Sequence, residues 1–132
     1  MSPTEILFIA GIAGGLVAFA SILARHQKTG SALMAAMLGA GFAGYTTIQL
    51  WQEGPVMFWV NHSQNLTGIQ VWWDLIAAVL IAFFFIAPRA RAVGMNVALW
   101  GLFVISTASI GLLAMCARLF YLECAQPEAP TA

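Results

Sequence analysis

The chain reads as an all-α integral membrane protein, a bundle of four transmembrane helices. Three observations point there. Hydrophobic residues make up 61% of the 132 residues and charged residues only 8%, against about 25% charged in a soluble domain. A fold this small has too high a surface-to-volume ratio to hide so much apolar surface from water. Apolar stretches also recur at close to the ~20 residues that cross a hydrocarbon core.

The first stretch runs from about Ile6 to Ala24 and contains no charge. The opening Met1-Ser2-Pro3-Thr4-Glu5 lacks the positive region of a secretory signal, so this stretch is expected to remain as a span. Arg25, His26, Gln27, Lys28, Thr29 and Gly30 form a polar break. The second span runs from about Ser31 to Leu50, and Gly54-Pro55 is expected to stop it. Residues 51–70 are apolar at Met57–Val60 but polar at Asn61–Asn65. They read as an outer interfacial loop containing a short helix that lies flat. The third span runs from about Val71 to Ala87, where Pro88 is expected to end it. Arg89 and Arg91 follow in a turn closing at Gly94. The fourth span runs from about Val97 to Leu122. The transmembrane domain thus covers residues 1–125, and residues 126–132, with Pro127 and Pro130, read as a flexible tail.

Basic residues orient this layout. Arg25, Lys28, Arg89 and Arg91 fall in the first and third connections, and only Arg118 falls on the opposite side. The positive-inside rule places the short connections in the cytoplasm and both termini outside. The expected address is a bacterial inner membrane. Trp51, Trp59, Trp72 and Trp73 cluster at the outer boundary, either as an interfacial belt or, with His62, as a surface for a partner or ligand. Asn61-His62-Ser63 and Asn65-Leu66-Thr67 match a glycosylation pattern that matters only on a eukaryotic secretory route.

Small residues predict where helices meet, because they let backbones approach closely in lipid. The first span carries Gly11 and Gly15. The second carries the rows Ala36-Ala40-Gly44 and Ala35-Gly39-Ala43. These faces suit packing within the bundle or against another subunit. Ser106, Thr107 and Ser109 are expected to bond back to their own helix.

Asp74 is the residue with the most chemical interest, because a charge near the start of a span is costly. It is read as a carboxylate at the interface favoured by the helix N-terminal dipole, as the partner of Arg118 in an intramembrane ion pair, or as a proton or ion site. His26 and His62 both fall in connections, so neither suits haem or chlorophyll inside a span. No serine–histidine–acid set, CxxC pair or phosphate loop occurs, and metal ligands do not cluster. Cys116 and Cys124 on one helix would lie roughly 12 Å apart, too far for a disulfide. Five basic residues balance five acidic ones, so there is no footprint for nucleic acid. Small multidrug transporters share the chain size but hold a glutamate in the middle of the first span. Here Glu5 sits at the edge.

From Tyr45 to Glu123 the chain resembles the domain-of-unknown-function 2834 family of small bacterial membrane proteins. The carrying residues are the polar segment ending in Asn65, then Trp73-Asp74-Leu75, then Arg89, Arg91 and Gly94, then Leu119-Phe120-Tyr121-Leu122-Glu123. The family usually has a proline near the end of its last span, where this chain has Ala117-Arg118, and this chain adds an N-terminal helix. The resemblance implies a membrane fold and no activity.

The functional expectation is a non-catalytic accessory or structural subunit of a larger membrane complex, photosynthetic or respiratory among the candidate hosts. Its partners would be membrane lipid and other membrane subunits. No cofactor is indicated, although carotenoid, quinone or lipid would suit the apolar faces. The alternative is a small oligomeric transporter or apolar-ligand-binding protein using Asp74 and Arg118.

Overall fold

The computed structural model describes residues 2–24 and 29–125. The expected break at Arg25–Lys28 and the expected tail at 126–132 lie outside the described residues. Among the described residues five helices occur where four were expected: α1 (Pro3–Ala24), α2 (Ala32–Ser63), α3 (Leu66–Ala92), α4 (Val97–Thr107) and α5 (Ser109–Ala125). Among the described residues there is no strand. Three helices, α1, α2 and α3, are long and apolar enough to cross a membrane.

The chain forms two compact units, residues 1–30 and 31–132. The first is α1. Its start is a capping box: Ser2 Oγ accepts from the Glu5 N–H at 3.2 Å, and a Glu5 carboxylate oxygen accepts from the Ser2 N–H at 2.7 Å. Two otherwise orphaned donors are thereby satisfied, and Pro3 occupies the first helical position, where its missing N–H costs nothing.

The second unit holds the other four helices. Ser31 caps α2 by accepting from the Met34 N–H at 3.2 Å. As expected, Gly54-Pro55 interrupts the helix: α2 is two helical segments joined across a kink at Gly54. Gly54 takes φ 76°, ψ 165°, a conformation open to glycine alone, and Pro55 restarts the helix because its fixed φ suits a first turn. The expected short helix after Gly54-Pro55 is therefore present as the last part of α2, through Ser63. The chain then reverses. Asn65 Oδ1 accepts from the Gly68 N–H at 2.7 Å, capping α3. Gly68 lies so close to α2 that an added Cβ would collide with the Asn61 carbonyl oxygen.

Pro88 was expected to end the third span, but α3 continues to Ala92. One proline forfeits a single backbone hydrogen bond. Ending the helix in apolar surroundings would forfeit several. Ala87 and Ala90 on either side of Pro88 are buried, which holds the last turn in place. The true end is a Schellman motif. Met95 N–H donates to Ala90 O at 2.9 Å and Gly94 N–H to Arg91 O at 3.0 Å. Gly94 has φ 77°, and Met95 packs with Ala90 in the core.

The largest departure is the fourth span. It is two helices folded back on each other. Asn96 caps α4, accepting from the Leu99 N–H at 3.2 Å. At 11 residues, α4 is roughly 16 Å long, about half a hydrocarbon core. Ala108 then takes φ 48°, ψ −118° and reverses the chain. The reversal is tight enough that a Cβ on Gly111 would stand 2.8 Å from the Phe103 carbonyl oxygen and 2.9 Å from Val104 Cα. In one continuous helix Gly111 and Phe103 would be about 12 Å apart. The Ser106 and Thr107 hydroxyls bond back to Leu102 and Phe103 carbonyls at 2.8 Å. That local bonding was expected, and it loosens a helix where it ends.

The core forms around this hairpin. Ala90, Met95, Val104, Met115 and Leu119 are buried, with Phe83, Trp100 and Phe120 against them. α5 packs most extensively on α2, where Gly39 faces Leu113: a Cβ on Gly39 would stand 3.3 Å from Leu113 Cβ. Because α5 returns, its C-terminal end meets the end of α3 that carries Arg89. Four antiparallel spans would have placed it at the opposite end.

Candidate functional site

Two side-chain clusters stand out in the second unit, one at each end of α3.

The first sits at the α2–α3 reversal. The kink at Gly54 and the close approach at Gly68 bring Phe58, Trp59 and His62 of α2 against Ile69 and Trp72 of α3. With Ser63 they line a cavity of about 210 Å³. Phe58 and Trp72 meet edge to face with centroids 5.5 Å apart, the arrangement aromatic quadrupoles favour. His62 lies 4.9 Å from Phe58 and 5.9 Å from Trp72. Its Nδ1 donates to the Phe58 carbonyl at 2.7 Å, because a carbonyl oxygen can only accept. In the neutral ring this leaves Nε2 as an acceptor. Chemically the cavity suits a flat apolar ring carrying a hydroxyl or N–H donor. The sequence had grouped Trp51, Trp59, His62, Trp72 and Trp73 as one surface. The structure gathers Trp59, His62 and Trp72. Trp51 and Trp73 do not line the cavity; all three of Trp51, Trp59 and Trp73 are exposed. Phe58 and Ile69 were missed, since single apolar residues in a short segment carry no signal.

The second cluster sits where α5 meets the end of α3. Arg89 binds Glu123 through both oxygens: Nε donates to Oε1 at 2.9 Å and a terminal guanidinium nitrogen to Oε2 at 2.6 Å. This fork geometry is the strong form of the arginine–carboxylate pair. The Arg89 guanidinium also lies 5.6 Å from the centre of the Phe120 ring. Cys116 is half-buried one turn from Phe120, and Cys124 is exposed.

Arg89–Glu123 stands where the sequence suggested Asp74 and Arg118. No salt bridge joins those two among the described residues. The cause is the reversal at Ala108. Along α3, Asp74 lies roughly 22 Å from Arg89. Along α5, Arg118 lies only about 7.5 Å from Glu123, so the two expected partners sit at different depths. Asp74 is exposed, and the Arg118 guanidinium lies 5.8 Å from the Tyr121 ring centre. The signal that could have revealed this is the hydroxyl run Ser106–Ser109 with Gly111, in the middle of a stretch longer than one crossing requires.

The small-residue rows separate. Gly39 and Ala35 are buried, whereas Ala36, Ala40 and Gly44 are exposed. Gly11 and Gly15 belong to α1, a unit by itself. Among the described residues, no group of three or more histidine, cysteine or acidic side chains gathers to hold a metal ion. No protein-family model matches the chain, and neither the curated proteins nor the solved structures give a match.

Proposed function

We propose that the chain is a non-catalytic accessory subunit of a larger assembly in the bacterial inner membrane. The observation that carries this reading is the split use of α2. One small-residue row, Ala35 and Gly39, is consumed by α5, while the other, Ala36, Ala40 and Gly44, remains exposed in the same unit. A face of this kind suits the close approach of another helix in lipid. The chain also exposes large apolar side chains on every helix, from Phe8 to Tyr121, and its polar groups are too few to line a transport path. The likeness of residues 45–123 to the domain-of-unknown-function 2834 family adds a membrane address and no activity.

In this reading α1, α2 and α3 cross the bilayer, and α4–α5 enters from the cytoplasmic side and returns to it. Arg89 and Arg91 mark that side. The N-terminus is then outside and the C-terminus inside, in place of two outer termini. A single cysteine added at residue 132 in a background without Cys116 and Cys124 tests this. It should resist a membrane-impermeant maleimide in intact cells and react after permeabilisation. Labelling in intact cells would restore the four-span layout.

The function itself is tested by mild detergent extraction from native membranes through an affinity tag. A large particle with stoichiometric partner proteins supports the subunit reading. A small homo-oligomer with nothing bound overturns it.

The aromatic cavity at His62 favours one second reading, an apolar-ligand-binding protein or small oligomeric transporter. Asp74 and Arg118 would then act singly. Ligand-dependent quenching of tryptophan fluorescence, lost in Trp72→Leu, would support it.

A further inference from the structure

Beside the core, the end of α3 and one side of α4 leave a groove of about 760 Å³. Its polar groups are all at one end: Arg91 and Asn96. The rest is apolar, with Phe83, Gly101, Leu102 and Ile105 along the walls. No acidic residue lines it.

Among the described residues, nothing acidic lines its mouth. Arg89, two residues earlier, is held by Glu123 in a bidentate pair. Arg91 forms no salt bridge among the described residues. The Asn96 carbonyl oxygen already caps α4, which leaves its amide N–H groups as donors. The mouth therefore offers a cation and neutral donors, and nothing that would attract a positive group.

The length also fits. α4 is roughly 16 Å long, which is one leaflet of a ~30 Å hydrocarbon core. Gly101 keeps the middle of the wall low. A Cβ there would stand 3.3 Å from Phe83 Cζ, so backbone and ring edge face each other with no side chain between them. At the far end Ile105 is 84% exposed.

We propose that this groove binds an anionic glycerophospholipid, with its phosphate at Arg91 and one acyl chain lying along α4 toward Ile105. A zwitterionic headgroup would bring a cation to Arg91, and an uncharged protein helix would leave that arginine without a counter-charge. The proposal rests on the reading that the Arg89–Asn96 end lies at the membrane surface.

The experiment is native mass spectrometry of the full chain in detergent, titrated with phosphatidylglycerol and phosphatidylcholine of matched acyl chains. The wild type should prefer the anionic lipid by about fivefold, the effect of one basic residue near an anionic surface. Arg91→Gln should bring the two lipids to parity. Arg91→Lys should keep most of the preference, and Arg118→Gln should keep all of it. Leu102→Trp, which fills the groove, should weaken both lipids. Equal binding of the two lipids by the wild type, or a preference that survives Arg91→Gln, would overturn the site. So would competition by chain-free glycerol phosphate at lipid-like concentrations. If Arg91→Gln does not fold, Leu102→Trp and Arg91→Lys decide: lipid binding unmoved by Leu102→Trp, or preference lost in Arg91→Lys, overturns it. A chain that stays monodisperse without detergent would instead sink the membrane reading.

Discussion

Two of the reversals among the described residues, α2–α3 and α4–α5, bring helix backbones into close contact, and they do so in two ways. At the α2–α3 reversal, two long helices meet through Asn65 as a cap and Gly68 as the point of contact. Asn65 holds an extended conformation, φ −145°, ψ 159°, that any residue adopts. At the α4–α5 reversal, two short helices meet through Ala108, with φ 48°, a left-handed value that costs roughly 1–2 kcal/mol for a residue with a Cβ. The packing around the two differs as well. Asn61, Asn65 and the aromatic residues of the first reversal are largely exposed, whereas Val104, Met115 and Leu119 beside the second are buried.

In the membrane arrangement proposed above, the difference follows from where each reversal would lie. A reversal at a membrane surface finds water for its backbone groups. A reversal inside an apolar layer is tolerated only where protein surrounds it. The core of this chain is built around α4 and α5, and the three helices long enough to cross a membrane keep apolar faces open. No residue in the most apolar stretch of α3 is buried.

The contrast can be broken most severely at Gly111. Gly111→Val places side-chain atoms where Phe103 O and Val104 Cα already stand 2.8 and 2.9 Å from a would-be Cβ. A loss of about 3 kcal/mol or more is expected, the scale of strong overpacking, seen as a collapse of thermal stability in detergent. The next effect is Leu119→Ala. Full burial predicts a loss of about 2–5 kcal/mol, while Trp51→Ala, 90% exposed, should lie within about 0.5 kcal/mol of wild type. Equal losses at the two sites would mean that the core is elsewhere.

A smaller effect is expected at the ion pair. The Arg89 side chain is 43% exposed, so its pair with Glu123 should contribute about 1 kcal/mol or less. A double-mutant cycle of Arg89→Gln and Glu123→Gln should show coupling, and one of Asp74→Asn and Arg118→Gln should be additive. Coupling in the second cycle would place Asp74 and Arg118 together. The smallest change has the opposite sign. Ala108→Gly should raise stability by up to about 1 kcal/mol, because glycine holds a positive φ without the Cβ penalty. A destabilised Ala108→Gly would show that Ala108 is not strained.

Some elements were legible beforehand for physical reasons. α1, the main part of α2 and α3 were visible as uncharged apolar runs, since lipid demands such runs whatever the packing. The Gly94 turn was visible because only glycine suits that cap. The back-bonding of Ser106 and Thr107 was foreseen, but its use as a breaking point was not. Gly54-Pro55 was read as a stop, and the backbone does leave helical geometry at Gly54; Pro88 was read as a stop, and α3 runs through it. In a spanning helix neighbouring atoms can tolerate one missing hydrogen bond, and the local rule then loses to the surroundings. Of the expected aromatic surface, Trp59, His62 and Trp72 converge and Trp51 and Trp73 do not. Which tryptophans line the cavity follows from the kink at Gly54 and the close approach at Gly68, which composition does not encode.

By itself the sequence determined the helical class, the positions of the apolar runs and their fitness to cross a membrane. These follow from composition and run length, and they hold for almost any arrangement of the helices. Only the tertiary structure decided that the last apolar run is a hairpin, that Arg89 meets Glu123, and that Arg91 is left facing a groove. The direction of α5 turns on one backbone conformation at Ala108. The hairpin is accompanied by packing of Val104 with Met115 and Leu119, and of Gly39 on Leu113, that no local pattern announces.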